Sequence, residues 1–89
     1  MKANLGDLFS SKGRIRVLKV LALETELLIS QICRKTGLNH TTVKNHLDAL
    51  VEARLIIHTT MGRIQLYRFD RDDIRARGFR NFLDLYEGR

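Results

Sequence analysis

Proline and tryptophan are absent from this chain, cysteine occurs once and glycine six times. One cysteine makes no intrachain disulfide, and no cysteine pair or Cys/His cluster stands at zinc spacing, which excludes a disulfide scaffold and a zinc finger and suits a reducing, intracellular setting. No Pro/Gly linker, repeat or low-complexity stretch marks a domain boundary. No apolar run approaches the ~20 residues that span a membrane, and the N-terminal MKANLGDLFSSKGR lacks the apolar core of a signal peptide. The expectation is a cytoplasmic protein without a membrane partner.

Catalytic equipment is missing as well. An enzyme would show a nucleophile beside a base, a carboxylate pair or a glycine-rich phosphate loop. The acidic residues here are instead dispersed through turns and helix starts, where capping and solubility account for them. The histidines and the cysteine make no metal site: His40 and His46 fall roughly 240° apart around one helix, His58 lies in a hairpin, and Cys33 reads as a small apolar packing residue. No catalytic residue, metal, cofactor or small-molecule ligand is expected.

What remains is a basic chain of 89 residues with Lys+Arg 16 against Asp+Glu 10, a net charge of +6 and a pI near 10.1. That length is expected to make one domain, burying roughly 60 to 65% of the unfolded surface, without a separate sensing domain. The charge suits a polyanionic partner.

The stretch from Ser30 to Ile57 organises the rest. A first helix, capped by Ser30 and spanning 30–36, stops at Thr36-Gly37. Asn39 then caps a second helix over 40–53. Two short helices separated by Gly37-Leu38-Asn39 cross steeply, as in a helix-turn-helix. Val43, Leu47, Leu50 and Val51 form the core stripe of the second helix. Thr41, Lys44, Asn45 and Asp48 point the other way, with His40 and Thr42 in the exposed first turn. Short hydrogen-bonding groups with one cation are what a helix needs to meet phosphates and base edges in a major groove. His46 is expected at the helix edge, near phosphate or in a local hydrogen bond.

Around this pair, Ser10 or Ser11 caps a helix over 11–23 with Ile15, Leu18, Leu21 and Ala22 inward. Leu5, Leu8 and Phe9 form an apolar piece before it, placed to cover one end of the core or reach a second subunit. Leu27-Leu28-Ile29 reads as a first strand or simply as core. Residues 55–69 form a hairpin turning at Met61-Gly62, with Thr60-Met61-Gly62-Arg63 as its tip. Asp70 caps a last helix over 71–87, whose Phe79, Phe82, Leu83, Leu85 and Tyr86 exceed what one small sheet covers and are the candidate dimer face.

The run Ile32-Cys33, Gly37-Leu38, Val43, His46-Leu47, Leu50 and Leu55-Ile56 resembles the winged helix-turn-helix of small ArsR- and MarR-like transcription regulators. Where that family often has a glycine before the Leu-Ile pair, this chain has Arg54. The resemblance implies an α+β, mostly helical winged helix with a two-stranded wing and a C-terminal dimerisation helix. It also implies a homodimeric regulator of double-stranded DNA, acting as a repressor by occlusion. Thr41, Thr42, Lys44 and Asn45 are the candidates near base edges, His40 is a further DNA-binding candidate in the first turn, and Arg14, Arg16, Lys35, Arg63 and Arg68 are the candidates at phosphates. A protein-binding winged helix and a non-specific architectural protein are the alternatives. The nearly charge-balanced face of residues 40–53 favours sequence reading over coating, which would line that helix with Lys and Arg.

Overall fold

The computed structural model describes residues 11–24 and 26–87. Leu5, Leu8, Phe9 and Ser10, to which the sequence assigns a covering arm and an alternative cap, lie outside the described residues. The first helix, α1 (Lys12–Leu23), starts where Ser11 Oγ accepts the Arg14 N–H at 3.2 Å. It buries Val17, Leu18, Leu21 and Ala22. Ile15, in the first turn, is only half-buried, and Val17 stands in the core in its place.

A short strand, β1 (Glu26–Leu28), runs directly into α2 (Ile29–Thr36). Ser30 is not the cap expected of it: the helix begins one residue earlier, and the Gln31 side chain reaches back to accept the Leu28 N–H at 2.8 Å. At the other end Gly37 (φ 75°) donates its N–H to Cys33 O at 2.8 Å. Thr36 is the one buried polar residue of the described core, and its hydroxyl is satisfied. It donates to Ile32 O at 2.7 Å and accepts the Leu38 N–H at 3.3 Å.

Asn39 Oδ1 accepts the Thr42 N–H at 2.8 Å and opens α3 (His40–Glu52). Val43, Leu47 and Leu50 are fully buried along it, each adding about 1.5 to 3 kcal/mol of apolar transfer; Val51 is half-buried at the margin. The helix ends with Arg54 N–H on Val51 O and Leu55 N–H on Leu50 O, both at 3.0 Å, which holds Arg54 at φ 65°. This is the closing turn in which a glycine is usual, so Arg54 keeps the geometry and bears the strain of a side chain there.

Strands β2 (Ile56–Met61) and β3 (Ile64–Phe69) form the wing, turning at Gly62-Arg63 with Gly62 at φ 63°. β1 joins this two-stranded wing, which decides for a strand between the two readings left open for Leu27-Leu28-Ile29. The sheet order is β1-β3-β2, all antiparallel, with Leu27 opposite Tyr67 and His58 opposite Tyr67 on the other side. Tyr67, Phe69, Leu27 and Ile56 point from the sheet into the core against α1, α2 and α3.

The last helix, α4 (Ile74–Glu87), begins later than residue 71 because Asp73, not Asp70, caps it. Asp73 Oδ1 accepts the N–H groups of Arg75 (2.8 Å) and Ala76 (3.2 Å), while Asp70 Oδ1 takes Asp72 N–H in the preceding turn. Ala76 and Leu83 are buried and Phe79 packs against the core, and the helix runs unbroken through Gly78. Arginines tie the helix ends together. Arg71 donates to Glu24 O and Arg75 to Ala53 O at 3.2 Å each, Arg80 to Ala22 O, and Arg16 to Thr36 O at 2.9 Å. These are C-terminal carbonyls of α1, α2 and α3, groups that a helix leaves without internal partners.

Candidate nucleic-acid interface

The stripe of Val43, Leu47 and Leu50 anchors α3, and its opposite face is therefore turned outward. His40, Thr41, Asn45 and Asp48 are exposed, and Thr42 and Lys44 half-exposed. These short polar groups sit on a rigid rod whose first turn is held by Asn39. Lys44 is not a lone cation: its ammonium meets Asp48 Oδ1 at 2.6 Å, an i,i+4 pair that raises the lysine's pKa through that hydrogen bond. The spacing of four could have revealed this pairing in the sequence.

Behind this face the wing closes on the helix. The Tyr67 ring is buried and stacks on His58 with centroids 4.5 Å apart and planes 3° from parallel. Burial raises the phenol's pKa, with Lys44 and Asp48 close enough to act on it electrostatically. His58 is bonded to Gln65, whose Oε1 also accepts the Thr60 hydroxyl at 3.3 Å. The middle of the hairpin thus lies beside α3, and Arg63 stands exposed at its turn.

The remaining cationic candidates are less uniform. Arg14 Nε donates to His46 Nδ1 at 3.2 Å across the contact of α1 with α3, Arg16 holds the end of α2, and Lys35 pairs with Glu24 at 3.8 Å. Arg68 is exposed between Glu26 and Ile57 on the sheet face opposite Tyr67, away from α3. The structure therefore gathers His40, Thr41, Thr42, Lys44 and Asn45 on one helix face with Arg63 on the adjoining wing, and sets Arg68 apart from them.

His46 packs so closely on α1 that a Cβ at Gly13 would meet its Nε2 at 2.9 Å, which is why that turn of α1 carries a glycine. Burial first, and Arg14 second, lower the His46 pKa below 6.5. The sign follows from proton linkage. The unfolded chain takes up this proton more readily than the folded one, so the contact's stability is present above the unfolded pKa and is lost as pH falls through 6.5 towards the folded value. Urea midpoints measured between pH 7.5 and about 5 will fall more steeply for this protein than for His46→Gln, and coincident curves would disprove the coupling.

A second surface lies on α4. Phe79 and Leu83, read from the sequence as part of a dimer face, turn to the chain's own core, because the apolar face of the helix is broader than the core can cover and divides into an inner and an outer stripe side by side. The outer one contains Ile74 (75% exposed), Phe82 (56%), Leu85 (86%) and Tyr86 (79%), with Gly78 between Ile74 and Phe82 and nothing within 4 Å of where its Cβ would be. The rings of Phe82 and Tyr86 stack on each other at 5.3 Å. Among the described residues no group of three or more His, Cys, Asp and Glu is placed to hold a metal ion, and no helix is long and apolar enough to cross a membrane.

Comparison with known proteins agrees with this geometry. The model of the family described as bacterial regulatory protein, arsR family, matches residues 11–58, just over half of the chain. One similar solved structure is the homodimeric winged helix-turn-helix DNA-binding domain of a possible ArsR-family transcriptional regulator from Mycobacterium bovis (24% identity, TM-score 0.73, covering 93% of this chain and 74% of that one). Reduced HlyU from Vibrio cholerae is similar at 16% identity (TM-score 0.76, 92% and 83% covered). The transcriptional repressor BigR from Xylella fastidiosa is similar at 18% (TM-score 0.74, 89% and 78% covered). At such identities the likeness is one of fold, and the fold is the winged helix. Comparison with curated protein sequences gives no match.

Proposed function

The chain belongs to the ArsR family of bacterial regulatory proteins, a family of regulators rather than enzymes, and from that membership we infer a homodimer that binds double-stranded DNA sequence-specifically in the cytoplasm and represses transcription by occlusion. The observation that carries the reading is the exposed polar face of α3, fixed by Asn39 at one end and by the Val43, Leu47 and Leu50 stripe beneath. Support for the dimer comes from the outer stripe of α4 and from the homodimeric description of the Mycobacterium domain. Support for repression comes from the description of BigR.

In this reading α3 lies in a major groove. Asn45 has the two-bond match to adenine, and His40, Thr41, Thr42 and Lys44 stand at neighbouring base edges or phosphates. Arg63 reaches the flanking minor groove or backbone, with Arg14, Arg16 and Lys35 as further phosphate contacts and Arg68 the weakest of the set. A two-fold dimer places two such helices about 34 Å apart and asks for half-sites about 10 bp between centres.

Selection of bound duplexes from a random library at two salt concentrations tests this. A palindrome of that spacing that persists at high salt is the expected result. Enrichment of no motif, with binding lost in salt, would make the protein an architectural coat, and no binding at all would make the winged helix a protein-docking module. On the recovered operator, Arg63→Ala will weaken every sequence and flatten the plot of log affinity against log salt by about one unit. Asn45→Ala will cost about 1 to 3 kcal/mol, and only at its own base pair. An unchanged salt slope for Arg63→Ala would take the wing out of the interface.

A further inference from the structure

The wing ends in an apolar tip that the rest of the described chain leaves uncovered. Met61 and Ile64 are cross-strand partners on either side of Gly62-Arg63, and they remain 59% and 51% exposed. Their mutual contact stabilises the hairpin end, yet it leaves more than half of each side chain in water. Threonine, present twice just before at Thr59 and Thr60, serves a hairpin equally well and without an exposed apolar surface. Something outside the chain is a better reason for large apolar groups at this position.

We propose that the tip is a minor-groove wedge, in which Arg63 enters the groove and Met61 and Ile64 press into the base step beside it, unstacking that step and bending the duplex. The proposal rests on the DNA-binding reading and adds a deformation to it.

Three observations carry the proposal. Methionine and isoleucine are among the side chains able to pry open a base step, and a cation beside them suits the negative potential of the groove. The segment from Thr59 to Leu66 contains Arg63 and no acidic residue, so its charge complements a polyanion. The turn has only two residues, and the strands entering it are about 4.8 Å apart. A minor groove about 6 Å wide therefore admits the tip side chains but not the hairpin body. His58 and Tyr67, at the level of α3, are three residue steps from Met61 and Ile64, so the tip projects about 10 Å beyond that level, past the major groove that α3 would occupy, with its apolar pair on the sheet face of Thr59 and Leu66 and not on that of Tyr67.

A wedge of this kind reads deformability. Pyrimidine–purine steps such as TA open easily and A-tracts resist, so the flank of each half-site should show a preference at a position that no side chain hydrogen-bonds.

The test uses the full chain and its selected operator, labelled at both ends with a donor and acceptor dye and carrying 2-aminopurine at the flanking step. Binding should raise energy transfer, as a bend of about 20 to 90° requires, and should raise 2-aminopurine emission as the base unstacks. Replacing the flanking TA step by an A-tract should weaken the native protein about tenfold. The variant carrying Met61→Thr and Ile64→Thr should keep the selected motif, lose both optical signals and become indifferent to the flank. Native protein bound to the operator with straight DNA and quenched 2-aminopurine would overturn the wedge and leave the DNA reading standing. Failure to recover any duplex would overturn both. Should the double variant melt without cooperativity, the native protein on TA and A-tract flanks decides alone: equal affinity on the two would refute the wedge.

Discussion

Placing charge on the outer stripe of α4, with Phe82→Asp and Leu85→Asp together, will turn the protein into a monomer and weaken its hold on a two-half-site operator by roughly a hundredfold or more. Both side chains are exposed and make no contribution to the described core, so the folded monomer loses little. A symmetric partner would lose two pairs of apolar contacts and gain facing carboxylates across an isologous interface. The large effect on binding arises because a dimer presents its second recognition helix at high effective concentration, whereas a monomer holds one half-site and must bind the other independently. Sedimentation gives the oligomeric state, and titration of one-half-site and two-half-site duplexes separates the terms. Affinity for a single half-site should be nearly unchanged. A double variant that still sediments as a dimer would move the interface away from α4. Leu83 provides the contrast, since it is 6% exposed and faces inward; Leu83→Asp will damage the fold itself.

The second large effect is expected at Tyr67. Tyr67→Ala removes a fully buried aromatic ring that fills the space between the sheet and α3, and large-to-small changes of this kind cost about 3 to 5 kcal/mol. A chain of this size has about 4 to 13 kcal/mol in total, so the loss is a large share of its stability. His58 loses the ring it stacks on, and both neighbouring strands lose a cross-strand partner, Tyr67 being opposite Leu27 and His58. Tyr67→Phe keeps the ring and should stay within about 1 kcal/mol of the native protein. Urea melts of the two variants make the comparison. A Tyr67→Ala protein as stable as the native one would mean that the wing folds without its anchor.

The local features of this fold were readable from the chain because their causes are local. Asn39 caps and Gly37 stops within one turn of the groups they satisfy, and a period of 3.6 was enough to put Val43, Leu47 and Leu50 inside and Thr41 and Asn45 outside. Where two capping solutions lay within reach, pattern alone chose wrongly. Gln31 outdid Ser30, and Asp73 outdid Asp70, since each helix begins where the backbone geometry lets its cap close. Contacts between distant residues left no trace in the pattern. Arg80 meets Ala22 O across 58 positions and Arg14 meets His46 across 32, and a basic residue in a helical stretch looks the same whether it serves a carbonyl or water. The same limit explains why Phe79 and Leu83 were grouped with Phe82, Leu85 and Tyr86. One apolar face broader than the core reads as a single surface until the fold shows which edge of it is taken.

The arginine contacts at the helix ends also bear on how the protein responds to ionic strength. Arg16, Arg71, Arg75 and Arg80 hold carbonyl oxygens, which are dipoles without counterions, and Arg75 and Arg80 pair in addition with Asp73 and Asp84. Salt screens exposed charges beyond about 10 Å at 0.1 M and removes phosphate contacts steeply, but it has little purchase on a guanidinium seated on a carbonyl at hydrogen-bond distance. The ion pairs that salt does weaken, such as Lys44 with Asp48 and Lys35 with Glu24, are exposed and carry little of the fold. Concentrated salt thus becomes a gentle eluent: it strips nucleic acid from the surface during purification and leaves the tertiary structure beneath it assembled.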